Sequence, residues 1–385
     1  MSQQNLLDAL GISLSEITAM QNLARARTFS DKGKFARLAT AQRTRGMGAH
    51  IAQQLWECKQ ILSKVGIYKS MYLSPQLYSA QVTQPTWEQI LERIYDEPVA
   101  TRNRVIWVLF HACLQAERDF SLDVCPAQSR EDVLTGRLLE GIKGACTSWA
   151  EASSSYLNRI ENTLEVSCID LTVGGGEQET GGDFALILDI KENASCLDDS
   201  EPDIITLTGG PRGDAFVPLV FQAKRYIGSS ADISQKHSAR GYQFNCLRQV
   251  DCASNYIFYE NGEKRIDLPA LPLVKPVSAC EAIETSRTTE VFSRSVDFAT
   301  YILRAANGFD SIPAARTRED ALNMILANTS PDRVTRLTIL GNTSGLSTTY
   351  RDALQQLRAE IEKAVDQEPS QDDDSDDVKP PRFKL

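Results

Sequence analysis

Apolar positions divide the chain into helical and extended stretches. Helical spacing marks Leu14–Arg27, His50–Val65, Trp87–Ile94 and Arg104–Glu117, with Pro75, Pro85 and Pro98 as breaks between them. From about Arg130 to Ala150, Leu134, Leu138, Ile142, Ala145 and Trp149 form one stripe. Ser129, with Asp132 three residues on, predicts the start of this helix as a capping box with Asp in place of Glu. Extended patterns follow at Leu164–Val173, Asp183–Ile190, Val217–Lys224 and Tyr256–Tyr259, with a helix expected from about Ser234. The segment from Lys191 to Phe216 reads as turns around a short strand at Ile204–Thr208. Beyond the Pro-rich connector 268–272, helix-like patterns lie near Thr289–Ala306 and Thr348–Val365, with one more strand at Val334–Leu340.

Alternation along a strand then places the chemistry. Leu219, Phe221 and Ala223 face one way, and Val220, Gln222 and Lys224 the other. A lysine near the end of an apolar strand needs a partner, and Asp183, at the start of another strand after Gly181-Gly182, is the obvious one. Asp183, the Gln222 amide oxygen and the Ala223 carbonyl are oxygen ligands suited to a hard cation. Glu131 falls on the stripe of Leu134 and Leu138 and points toward the core, whereas Asp132 and Glu140 do not share that stripe. Each signal has an ordinary reading: Gly-Gly-Asp is a common turn, and Glu131 is a favourable first-turn acid. Their order, in the right elements, gives them joint weight.

That order is helix with Glu131, strand, Gly-rich turn, strand with Asp183, strand with Gln222 and Lys224, then a helix. It resembles the PD-(D/E)XK restriction-endonuclease-like superfamily. The Asp…Gln-x-Lys form, with Phe-Gln-Ala-Lys-Arg-Tyr at 221–226, is similar to its Mrr-like branch. The resemblance covers roughly residues 130–260. It implies an α/β fold with a restriction-endonuclease-like mixed β-sheet flanked by helices. It implies Asp183 as principal Mg²⁺ ligand, Gln222 at the second acidic position, Glu131 completing the shell with the Ala223 backbone carbonyl, and Lys224 orienting or activating the attacking water. Mn²⁺ is expected to substitute for Mg²⁺. This chain departs from the family in two respects. Gln222 brings no charge, which predicts weaker metal binding, and the interval from Asp183 to Gln222 is long and requires an insertion. On the expected helix after the second motif, Lys236 and Arg240 share a face with Gln243 close by. With Arg225 they are the expected contacts to a nucleic-acid backbone.

Composition narrows the setting. The 385 residues suffice for more than one domain. Nine cysteines without a Cys-x-x-Cys pair suit reduced thiols in a cytoplasmic protein, and no signal-peptide pattern or membrane-length apolar run is present. His50, His111 and His237 lie far apart without metal-ligand spacing, and neither a Gly-x-Ser-x-Gly elbow nor a phosphate-binding loop occurs. An ATPase or sensing function is therefore expected from a partner protein. The net charge is −10, and the tail from Asp366 carries seven acids against three bases. A basic stretch from Arg25 to Arg45, with Asp31 its only acid, offsets this locally and suits a nucleic-acid backbone or an acidic partner.

The expected organisation is a helical N-terminal domain at 1–125 for sensing, assembly or substrate binding, a nuclease-like domain at 126–265, a mostly helical C-terminal region at 266–365, and a disordered acidic tail at 366–385. The functional expectation is a Mg²⁺-dependent DNA endonuclease of bacterial restriction or anti-phage defence, assembled as a homo-oligomer. The alternatives are a non-catalytic nucleic-acid-binding or assembly subunit that keeps the fold, or an RNase.

Overall fold

The computed structural model describes residues 13–27, 104–157, 164–171, 183–191, 215–237, 241–262, 269–306, 312–326 and 334–367. The helices α1 (Leu14–Arg27), α2 (Arg104–Asp119), α3 (Glu131–Ala152) and α4 (Ser154–Leu157) precede the strands β1 (Glu165–Asp170), β2 (Phe184–Ile190) and β3 (Ala215–Tyr226). There follow β4 (Ser230–Asp232), β5 (Lys236–His237), β6 (Gly241–Tyr242), α5 (Gln243–Leu247), β7 (Ala253–Glu260), β8 (Leu273–Pro276), β9 (Thr288–Glu290) and β10 (Val296–Asp297). The last are α6 (Phe298–Ala306), α7 (Arg318–Leu326), β11 (Arg336–Gly341) and α8 (Leu346–Gln367). Expected residues at His50–Val65, Trp87–Ile94, Gly174–Gly176, Ile204–Thr208, Arg240 and the acidic tail lie outside the described residues.

A mixed seven-stranded sheet has the order β1-β11-β2-β3-β7-β8-β10. β2 and β3 pair antiparallel, while β3 with β7 and β11 with β2 pair parallel. Parallel strands are ordinarily covered on both faces, and β2 accordingly is buried at every position. Its alternation sorts Phe184, Leu186, Leu188 and Ile190 into one core and Ala185 and Ile187 into the other. The first core is shared with α2, α3 and α6, and the second with α7, α8 and α5. Full burial of each such aliphatic or aromatic side chain is worth about 1.5–3 kcal/mol, so the period-2 pattern of β2 fixes its register strongly. Pro218 is tolerated in β3 because it pairs with Ile187 of β2 and falls before β7 joins at the Leu219–Ala253 pair.

The run Val105–Phe110 becomes the buried stretch of α2, a core helix nearly apolar around its circumference. No helix among the described residues is long and apolar enough to cross a membrane. Elements from both sides of the expected boundaries at 125 and 265 build this one sheet and its two cores: α2 packs on α3 and α6, and β11 sits between β1 and β2.

Three local expectations are corrected. The helix from Ser234 does not form. Ser234 donates its N–H and Oγ–H to the Asp232 carboxylate at 2.7 and 2.6 Å. Ser230–Asp232 pairs with β9, and a left-handed Gly241 with φ of 79° closes the β5–β6 hairpin. Side chain-to-backbone bonds of this kind compete with helix, and among the described residues of this segment the helix is confined to the five-residue α5. The helix expected over Thr289–Ala306 is confined to Phe298–Ala306, because Thr288–Glu290 and Val296–Asp297 are taken up as strands. Finally, Ser129 does not cap α3. Arg130 occupies the cap without a side-chain bond, and the Ser129 N–H is given to Asn261 Oδ1 at 3.0 Å.

Candidate functional site

The antiparallel pairing of β2 with β3 ends at the Phe184–Phe221 pair, while β3 runs on to Tyr226 beside β7. Among the described residues, no strand pairs with the backbone of β3 past Phe221 on its β2 side. Asp183 fills that place. Its Oδ2 accepts the Ala223 N–H at 2.6 Å and the Gln222 amide N–H at 2.9 Å, and its own carbonyl accepts Thr335 Oγ1–H at 2.9 Å. Since N–H and C=O of one residue in an extended strand point to the same side, the Ala223 carbonyl also faces Asp183. Phe184 and Phe221 stack behind it with ring centroids 4.9 Å apart.

Lys224 is buried to 6% side-chain exposure. Its ammonium donates to Gln235 Oε1 at 2.5 Å and stands 3.8 Å from Glu131 Oε2. The other Glu131 oxygen accepts the Arg225 N–H at 3.0 Å, the next open donor on β3. Arg225 in turn donates through Nη1 to the Ser129 carbonyl at 2.8 Å, and so binds the start of α3 to the strand. Asn261 completes the clamp by donating to the carbonyls of Cys125 and Ala127, each at 2.7 Å. The head of α3 thus reaches the site through tertiary bonds rather than a local cap.

Burial pushes the Asp183 carboxyl up to about 7. The Ala223 N–H and the Lys224 ammonium pull it down, and the like charges of Glu131 and Asp132 push it up. A carboxyl in that range changes charge near neutrality and gains from a cation in its place.

The four expected catalytic positions Glu131, Asp183, Gln222 and Lys224, with the Ala223 backbone, are therefore brought together at one end of the sheet. The expected phosphate contacts are not assembled as one face. Arg225 is at the site, but Lys236 lies 4.6 Å over the Tyr242 ring, and Gln243 is buried at the start of α5. Two partners escaped sequence reasoning: Gln235, which holds the lysine, and Asn261, which holds the loop before α3. The Asn261-Gly262 dipeptide signals a turn, but nothing local to it indicates the clamp.

No protein-family model, curated protein or solved structure matches this chain. The chemistry of the site is accordingly read from its own atoms. Among the described residues, no group of three or more His, Cys, Asp or Glu side chains is arranged to hold a metal. The donor set of this site is of another kind: two carboxylates, a backbone carbonyl and one amide. Gln222 Oε1 is buried and has no hydrogen-bond partner, and Asp183 Oδ2 takes both donors of its carboxylate, leaving Oδ1 free of them. A buried acceptor left unpaired costs about 1–3 kcal/mol. Oxygen donors of this type fit Mg²⁺.

Proposed function

We propose that this chain is a Mg²⁺-dependent nuclease acting on DNA, with a restriction-endonuclease-like core and its active centre at Asp183, Gln222, Lys224 and Glu131. The observation that carries the reading is the Asp183 carboxylate on the open backbone of β3 beside an unpartnered Gln222 oxygen, with the Lys224 ammonium and Glu131 close by. Asp183, Gln222 Oε1, the Ala223 carbonyl and Glu131 are the residues that would hold the cation. A bound divalent ion supplies Lewis acidity at the phosphate and lowers the pKa of a coordinated water. The protein's own residues do the rest. Lys224 offers a positive charge to the phosphodiester from a site of low exposure, where water screens it little. Glu131 and Gln235 hold that ammonium in place, and the Ala223 N–H fixes the Asp183 carboxylate. Mn²⁺ serves as an alternative cation in this reading. A cytoplasmic setting in restriction or anti-phage defence, action as a homo-oligomer and a partner that supplies sensing or ATPase function complete the proposal.

One observation favours a second reading, a non-catalytic nucleic-acid-binding or assembly subunit. The site holds only two close carboxylates, and the Gln222 amide spends an N–H on Asp183. Plasmid DNA incubated with Mg²⁺ or Mn²⁺ separates the two. Cleavage by the wild-type chain that disappears in both Asp183→Ala and Lys224→Ala supports the nuclease. Absence of cleavage of DNA and of single- and double-stranded RNA, alone and with neighbouring-gene products, leaves the binding subunit. Cleavage of RNA alone identifies an RNase.

A further inference from the structure

A cavity of about 1040 Å³ opens at the start of β7, between α5, α6 and the segment after β8. The Asp183–Lys224 site lies farther along the sheet: Lys224 pairs with Phe258, and Asn255 in the cavity wall is three residues earlier on β7, about 10 Å along the strand. The volume is at the upper end for small-ligand sites. Among the described residues, the charged side chains that line it are Arg248, Arg294 and Arg304, with no Asp or Glu. Such a lining attracts an anion, and guanidinium groups pair with phosphate in a bidentate fork.

Three further observations define the ligand. The Arg248 guanidinium lies 5.9 Å from the centre of the Phe244 ring, and Phe244 and Tyr301, both almost wholly buried, are part of the cavity lining. Asn255 also lines the cavity, with 1% of its surface exposed. Its amide N–H groups are spent on the carbonyls of Ala253 at 3.2 Å and Val220 at 3.5 Å. Those acceptors fix the amide orientation, so the buried group without a partner is the acceptor Oδ1. An unpartnered acceptor in the wall of a cavity that also carries arginines calls for an N–H donor on the ligand, such as an amino group of a nucleobase. Finally, Arg294 has a left-handed backbone with φ of 59°, the one such non-glycine residue among those described. The Ser295 hydroxyl bonded to the Val291 carbonyl holds this turn. Left-handed non-glycine positions are uncommon, and strained backbone clusters at ligand sites.

We propose that this cavity binds a nucleoside phosphate, with the phosphate on Arg248 and Arg294, the base against the aromatic lining, and a base N–H given to Asn255 Oδ1. The site is separate from the proposed active centre and stands whether or not the chain cleaves DNA.

Isothermal titration of the full chain in EDTA, which removes divalent cations, tests the site directly. The ligands are AMP, ADP, ATP and their guanine counterparts, with adenosine, inorganic phosphate and a short single-stranded DNA as comparisons. One nucleoside phosphate is expected to saturate one site, with adenosine and phosphate each weaker by about tenfold or more. Arg248→Ala and Arg294→Gly should each weaken it by about tenfold or more. Glycine accepts the left-handed backbone at 294, so Arg294→Gly retains the wild-type melting temperature and separates loss of binding from loss of fold. Asn255→Asp, of the same shape with a negative charge, should weaken binding further when combined with either. The proposal is overturned if no nucleoside phosphate saturates by about 1 mM, if binding is unchanged in the Arg248→Ala/Arg294→Gly double variant, or if only the DNA oligonucleotide binds.

Discussion

Strand β2 has an aspartate at each end, Asp183 and Asp189, and the two are opposites. Asp189 is fully buried and saturated. Arg318 binds it through Nε at 2.6 Å and Nη2 at 3.3 Å, and the Tyr350 hydroxyl donates to it at 3.0 Å. The cation, ring and hydroxyl come from α7 and α8, which cover that end of the sheet. Asp183 is only half-buried and is served by one backbone and one amide N–H, with a lysine that is occupied by Gln235 and Glu131. The first is an ion pair completed inside the fold. The second is an electrostatic arrangement left open, and an open arrangement of acid, amide oxygen and lysine is what a cation and a phosphate can complete. A completed buried ion pair is costly to break by removing one partner, whereas a perturbed acid without a full set of partners is a candidate for function.

The largest effect should come from breaking the closed end. Arg318→Ala leaves a fully buried carboxylate with only Tyr350, and a loss of about 3–5 kcal/mol is expected in urea unfolding. Asp189→Asn should cost less, about 1–3 kcal/mol, because Arg318 keeps 19% side-chain exposure and can turn to water. If the arginine variant were as stable as wild type, the closed end would not be an ion pair of consequence.

The open end should behave in the reverse sense. Lys224→Ala and Asp183→Asn are expected to lower Mg²⁺-dependent cleavage by about 10²–10³-fold, while Asp183→Asn at pH 8, where burial disfavours the ionised acid, leaves stability unchanged or raises it. Equal damage to stability at both ends of β2 would remove the contrast.

Titration gives a third difference. The Asp183 carboxyl sits at about 7 in the fold against an ordinary 3.8. The folded chain therefore holds this proton more tightly than the unfolded chain. Its contribution to stability is full below about pH 4, declines as pH rises from about 4 to 7, and is gone above. Urea midpoints across pH 4.5 to 8 should fall for wild type relative to Asp183→Asn, the subtraction cancelling other carboxyls such as Glu117 and Asp297. A difference that is flat with pH would mean that Asp183 is not perturbed. Since cation binding requires the ionised acid, the rise in melting temperature on adding Mg²⁺ should grow from pH 6 to pH 8 and vanish in Asp183→Asn.

The smallest effect is the sharpest on mechanism. Gln222→Glu removes an amide donor from Asp183 and adds a carboxylate, so cleavage should need less Mg²⁺ while stability without the ion falls slightly. A Mg²⁺ dependence identical to wild type would show that residue 222 does not face the cation.

Much of this architecture was legible in the spacing of residues. The period-2 runs of β2 and β3 and the stripe of α3 are strong because each buries one side of a sheet or one face of a helix; the expected Asp183–Lys224 pair is corrected, since Asp183 bonds to the Ala223 N–H and the Gln222 amide while Lys224 goes to Gln235 and Glu131. The segment after β3 was not legible. Lys236 and Arg240 have helical spacing, but a turn at Asp232–Ser234 and a left-handed Gly241 turn the segment into short strands. Local side chain-to-backbone bonds outweigh a spacing of charges that buries nothing. Gln235 and Asn261 were invisible for a different reason: their partners, Lys224 and the Cys125 and Ala127 carbonyls, are brought near only by the folded chain.

By itself the sequence determined which side chains share a face of β3, where the apolar strands run, and that an acid, an amide and a lysine stand at strand ends, because alternation and apolar burial are local constraints. Only the tertiary structure decided that β11 enters between β1 and β2, that Asp189 is closed by α7 and α8 while Asp183 stays open, and that three arginines line one cavity at the start of β7. Those outcomes depend on which distant elements pack at each end of the sheet, and a local pattern of apolar and polar residues carries no information about that choice.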